Sequence, residues 1–204
     1  VYATHGLGPA CQLLNIHRGD RMTYLVSMDT KSVNGLKIAK ERMGVDTFAN
    51  GDHTLTLIKT ELGRTTHLQH NVYTPRPYSR MYQLTGTEGF ANKYPVEGYA
   101  FRPEQLAGSG VPDHENLSEH TFIPEAAKAA LMERYKDPIV RDIEQKAREV
   151  GGHGGMDFIM DYRLIYCLRN GLPLDQDVYD AAEWSCIGSL TAMSLEHNSS
   201  PVAV

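Results

Sequence analysis

An α+β fold, built on an open and mainly antiparallel sheet with helices packed on one face, is predicted by three features of this 204-residue chain. Short segments that alternate apolar and polar residues occupy positions 22 to 101. From Pro124 onward the period lengthens to that of helices. Glycine or proline stands at most of the boundaries, and strands followed by helices put the helices on one side of a sheet.

The elements follow in order. Gly8 is a tolerated cap and Pro9 suits a first helical position, so a helix is expected from there through Ala10 to Ile16. Residues 22–28 read as a strand, and 36–43 as a short helix closed by Gly44. Residues 54–62 and 64–73 flank Gly63, a hairpin signal. The run 79–85 breaks at Gly86-Thr87-Glu88-Gly89, and 90–94 and 96–101 complete an antiparallel meander. Threonine, histidine and glutamine alternate with Leu, Ile and Val here because such a sheet keeps one face wet. Residues 102–122, with Pro103, Gly108, Gly110 and Pro112, are expected as a surface loop. Helices are then expected at 125–136, 138–150, 156–170 and 176–197, with Pro124 and Pro138 at entrances and Gly171 after an end. The last two are apolar on most faces, which predicts that they are buried.

A net charge of −5 and 41% hydrophobic residues allow one sizeable core, and a single domain over 1–204 is expected. No apolar run is long enough to cross a bilayer, and the chain carries no targeting pattern at its start; with no initiator methionine, that start reads as a cut edge. Lys and Arg form no basic stripe, which argues against nucleic-acid partners. Cys11, Cys167 and Cys186 form no CxxC pair and sit in apolar helical stretches, as buried thiols do.

Five places carry candidate chemistry. Tyr2 and His5, three apart, feed the positive end of the first helix, where developing negative charge is stabilised; an ordinary cap and a packed ring are the plainer alternative. Gly151-Gly152-His153-Gly154-Gly155 follows a helix rather than a strand and lacks dinucleotide or P-loop spacing, leaving His153 as a substrate contact or a connector residue. Asp157 and Asp161 share a helix face, more simply as dipole-stabilising carboxylates near Arg163 than as an acid–base or metal pair. His67 and His70, three apart in a strand, point to opposite faces, so no metal site is expected. Finally, Thr74-Pro75-Arg76-Pro77-Tyr78-Ser79-Arg80 is a proline-stiffened loop that projects a tyrosine between two arginines, suited to stacking on a sugar or to a simple edge turn.

Several of these motifs carry a resemblance. Tyr2-Ala3-Thr4-His5-Gly6-Leu7-Gly8-Pro9, Asn15-Ile16-His17-Arg18-Gly19-Asp20, Pro75-Arg76-Pro77-Tyr78-Ser79-Arg80 with Gly86-Thr87-Glu88-Gly89, and Gly152-His153-Gly154-Gly155-Met156-Asp157 together resemble the NAD-dependent glycoside hydrolases of family 109. They span most of the chain. The resemblance implies the glucose-fructose oxidoreductase (Gfo/Idh/MocA) superfamily, in which an N-terminal Rossmann domain holds the nicotinamide and an α/β-type C-terminal domain with an open sheet closes the sugar site. Only that second domain is matched, so the Rossmann domain is missing from this chain and the chain alone is expected to be inactive.

What the resemblance implies about mechanism is hydrolysis of α-N-acetylgalactosaminides with NAD. Hydride leaves the sugar C3 transiently, the C2 hydrogen becomes acidic, the C1 substituent is eliminated, water adds and the hydride returns. No opposed carboxylate pair is needed, unlike the usual glycosidase arrangement. Carried onto this sequence, Tyr2 and His5 are catalytic, Tyr2 also meets the cofactor, and Tyr2, Ala3, Thr4, His5 and Tyr78 bind the sugar, with Tyr82 the alternative to Tyr78 and His153 a further contact. Ala3 stands where the family motif commonly has proline. The resemblance also implies a bacterial protein, exported by a twin-arginine signal, with homo-oligomers formed through the sheet. Two rivals remain open at this stage: a net sugar or cyclitol dehydrogenase of the same superfamily, and a non-catalytic dimerisation module.

Overall fold

The computed structural model describes residues 3–204, which form two compact units. One is built from the described residues up to Pro77 together with Gln176–Val204, the other from Tyr78–Asp175. The α+β class and the open antiparallel sheets are as expected, with one difference: there are two sheets, because residues 71–82 run irregularly between them.

In the first unit the sheet order is β3-β2-β1-β7, from β1 (Met22–Asp29), β2 (Thr54–Thr60), β3 (Thr65–His70) and the short β7 (Val202–Ala203), with every pairing antiparallel. Gly63, at φ 86°, closes the β2–β3 hairpin. Helix α2 (Asn34–Met43) ends at Gly44 in the left-handed conformation. Its start is capped from a distance: Asp52 accepts backbone N–H bonds from Val33, Asn34 and Gly35.

Helix α1 (Thr4–Leu13) and helix α6 (Val178–Glu196) lie against the inner face of this sheet. Helix α1 begins earlier than expected, so Pro9 lies inside it and Gly8 is buried mid-helix. The reason is packing. A Cβ on Gly8 would stand 2.9 Å from the Trp184 ring of α6, so the glycine serves close helix approach rather than a cap. Leu7, Ile16, Leu25, Ile58 and Ile187 are fully buried between helices and sheet. Polar groups in this layer pair with one another: Ser27 and Thr56 hydroxyls at 2.9 Å, Thr56 and Thr191 at 3.2 Å, and Ser27 N–H donating to Ser194 Oγ at 3.0 Å.

The second unit holds a three-stranded sheet in the order β4-β5-β6, from β4 (Gln83–Thr85), β5 (Gly89–Asn92) and β6 (Gly98–Phe101). Strand β4 is shorter than the expected 79–85, since Tyr78 to Met81 form no ladder. Residues 102–122 contain 3₁₀ turns at Pro103–Leu106 and His114–Asn116, and they are not confined to the surface. Leu106 and Val111 are buried with Ile123 and Ala127 as a second core under α3 (Glu125–Arg134). The segment is too poor in apolar residues to betray this by period. Helices α4 (Pro138–Val150) and α5 (Met156–Asn170) match their expected bounds, but α5 has Cys167 as its one buried residue and is not the covered helix that its composition predicts.

Candidate functional site

The first turn of α1 presents Thr4 and His5. His5 is exposed, within the helix rather than in a turn before it, and its Nδ1 lies 3.5 Å from Thr4 Oγ1. The Ala3 carbonyl is engaged by the helix itself, accepting from Gly6 N–H at 3.1 Å and Leu7 N–H at 2.8 Å. His5 therefore lies inside the first turn of α1, at the positive end of the dipole, and not in the turn feeding it that the sequence predicts. Tyr2 lies outside the described residues.

This turn rests on β3, where a Cβ on Gly6 would be 3.3 Å from Leu68 Cδ1. His70 shares the inner face with Leu68 by the two-residue period, whereas His67 points outward and is exposed. Burial pushes the His70 imidazole below its usual pKa. Beyond it, His53 Nδ1 lies 3.3 Å from the Asn71 amide, and the Thr74 hydroxyl donates to Asn71 Oδ1 at 2.7 Å. The opposite facing of His67 and His70 is as the sequence predicts; His53 and Asn71 carried no signal in the sequence.

The motif Asn15 to Asp20 proves to be a clasp. Arg18 reaches Asp180 of α6 bidentately at 2.8 and 2.6 Å, and His17 Nε2 lies 2.5 Å from Glu183 Oε2. Asp20 turns the other way, into the sheet. Burial opposes its ionisation, yet hydrogen bonds from the Thr60 hydroxyl, the Leu62 and Arg21 N–H groups and the Arg64 guanidinium prevail and hold its pKa at about 2. Asp180 is likewise held below the usual carboxylate range, chiefly by Arg18. Asn15 and His17, both at positive φ, set the tight path that sends His17 and Arg18 to α6 and Asp20 into the sheet.

In the second unit Tyr78 is 71% exposed. Arg80 Nε donates to its hydroxyl at 2.6 Å, and the Tyr94 ring meets it edge-on at 6.1 Å. An exposed ring held by a guanidinium and a second ring is a preset stacking surface. The alternative, Tyr82, is half-buried, and its carbonyl accepts from Lys93 N–H. His153 pairs with Asp157 at 2.9 Å; the imidazole is exposed and the carboxylate half-exposed, so the pair is weakly held. Arg163 does not neutralise Asp157 or Asp161 but binds Asp175 through Nε and Nη2. A cavity of about 400 Å³ is lined by Tyr99, Phe101, Leu106 and Met132, with Glu88 and Gln105 supplying polar groups, and none of the sequence-predicted site residues lines it. Among the described residues no group of three or more metal-ligating side chains converges.

The family model described as Glycosyl hydrolase 109, C-terminal domain, matches residues 1–204. The chain belongs to glycosyl hydrolase family 109. It is 65% identical to Glycosyl hydrolase family 109 protein 1 of Phocaeicola vulgatus, and 62% identical both to the protein of that name from Bacteroides fragilis and to Glycosyl hydrolase family 109 protein of Porphyromonas gingivalis. Each match covers 100% of this chain and 44% of the relative, so the chain spans less than half the length of these family 109 proteins. No helix among the described residues is long and apolar enough to cross a membrane.

Proposed function

We propose that this family 109 chain is the sugar-binding C-terminal part of a glycosidase that hydrolyses α-N-acetylgalactosaminides with NAD. The observation that carries the reading is the family match over the whole chain, joined to an exposed histidine at a helix N-terminus. His5 moves a proton at a sugar hydroxyl, for which an imidazole is suited near neutral pH. Tyr2 works beside it. Thr4 and Ala3 shape the turn, Tyr78 stacks on the sugar, and His153 adds a contact.

The described residues do not fit a dinucleotide cradle. Their glycine-rich stretch, Gly151 to Gly155, joins α4 to α5 rather than a strand to a helix, and Gly155 approaches the Ala147 backbone, with its built Cβ 2.8 Å from the Ala147 carbonyl carbon. In this reading NAD is held by the part of the protein that precedes the chain, with Tyr2 touching it. The outer face of the first sheet, with Tyr24, Met28 and Leu57 exposed, is the surface for a second copy. The same reading makes the parent protein bacterial and exported.

The test is the full-length protein on 4-nitrophenyl α-N-acetylgalactosaminide, with NADH absorbance followed throughout. Nitrophenol release without net NADH is expected. Stoichiometric NADH would replace the reading with a dehydrogenase, and an intact substrate in the presence of NAD would end it. His5→Ala in the full-length protein should lower turnover by roughly 10²–10⁴-fold. Near-unchanged turnover would make His5 a cap and nothing more.

A further inference from the structure

Helix α5 turns apolar side chains to solvent along most of its length. Tyr162, Leu164, Ile165, Tyr166 and Leu168 are 39–62% exposed, while Cys167 is buried. Phe158, Tyr162 and Tyr166 form a ladder at four-residue spacing, with ring centroids 6.3 and 6.5 Å apart and planes within 25° of parallel. Single exposed apolar residues are ordinary, but a contiguous stripe of this width marks an interface. Aromatic rings are enriched at the cores of such interfaces.

What covers it follows from the family match. The matching model describes a C-terminal domain, and the chain covers 44% of the relatives, so more than half of each relative lies outside the matched part, largely ahead of it. A two-part protein whose preceding part holds the cofactor needs a surface on this chain to seat that part. A second copy already has a candidate surface in the outer face of the first sheet, which belongs to the other unit. We propose that α5 is a docking ridge for the portion of the protein preceding residue 1, with the ladder of Phe158, Tyr162 and Tyr166 and the neighbouring Ile165 and Leu168 as its contact surface. The proposal rests on the two-part reading given above.

Photo-crosslinking on the full-length protein tests it. Photoreactive p-benzoylphenylalanine replaces Tyr166, and unlabelled protein is mixed with protein labelled in heavy nitrogen before illumination. Cross-linked peptides are expected to join the α5 segment to sequence preceding this chain, each pair in one isotopic form. Links confined to residues 1–204, pairs of mixed isotopic form, or a yield no higher than from the same probe at the 72%-exposed Tyr135 would each overturn the proposal. Leu168→Asp should cut the yield several-fold, and because Leu168 is 62% exposed the substitution leaves the chain's own packing intact. Turnover is scored separately on the unsubstituted protein. Cross-links as expected from a protein that leaves the glycoside intact would sink the activity reading and keep the docking ridge; the reverse result would do the opposite.

Discussion

Helices α5 and α6 are similar in sequence character and opposite in burial. Both carry apolar residues nearly all round, yet α6 sinks Trp184, Ile187, Thr191 and Ser194 into the first unit while α5 leaves Ile165, Leu168 and Tyr162 in solvent. The side chains buried in α6 include two hydroxyls, and those exposed on α5 include its largest aliphatics. Hydrophobicity therefore did not choose which helix was covered. The choice was made by partners: Thr191 and Ser194 meet matching donors and acceptors on β1 and β2, and the Asn15–Asp20 clasp ties α6 through Asp180 and Glu183. Helix α5 has α4 on one side, and its ion pairs, His153–Asp157 at its start and Arg163–Asp175 from its middle, lie at the surface.

The largest effect that separates the two helices comes from equal truncations. Ile187→Ala removes a side chain with no exposed surface and should cost about 2–5 kcal/mol in denaturant unfolding of this chain. Ile165→Ala, half-exposed on α5, should stay within about 0.5 kcal/mol. Equal losses would mean that α5 is covered in solution and would break the contrast. Run in the full-length protein, the same pair measures how much of α5 the preceding portion covers.

This contrast also marks how far the sequence could be read. The bounds of α4 and α5, the Gly63 hairpin and the class of the fold followed from period and punctuation, which are local. The start of α1 did not, because Gly8 answers to Trp184, 176 positions away, a demand that Pro9 and Gly8 hide behind an ordinary helix-start pattern. The buried role of Leu106 and Val111 was hidden for the same reason, as was the Asp52 cap on α2, which comes from the far end of a loop. The exposure of Tyr78 was legible from its proline-stiffened loop, while the place of His70 on the inner face beside Leu68 follows from the strand period.

An acid titration separates the two kinds of charge that hold the helices. Asp20 has its carboxyl depressed from 3.8 to about 2 in the folded chain, so it contributes stability that is fully present above pH 4 and is lost as pH falls toward 2. Asp20→Asn should flatten the loss of stability across that window and lower stability at neutral pH, because Arg64 and the Leu62 amide lose a charged acceptor. Circular dichroism melts at pH 7, 4 and 2.5 provide the measurement. A substituted chain with an unchanged acid slope would show that the Asp20 cluster is not what fastens the clasp to the sheet.

The smallest effect is expected where α5 begins, and there stability and function should part. His153 is largely in solvent and Asp157 half so, and the handed turn through Gly152, Gly154 and Gly155 sets the backbone whether or not the pair forms. His153→Ala should therefore change unfolding of this chain by no more than about 0.5 kcal/mol. In the full-length protein the same substitution reads the other quantity. If His153 touches sugar, KM for the glycoside rises or kcat falls while the melting curve stays put; if both stay put, the glycine-rich stretch is a connector.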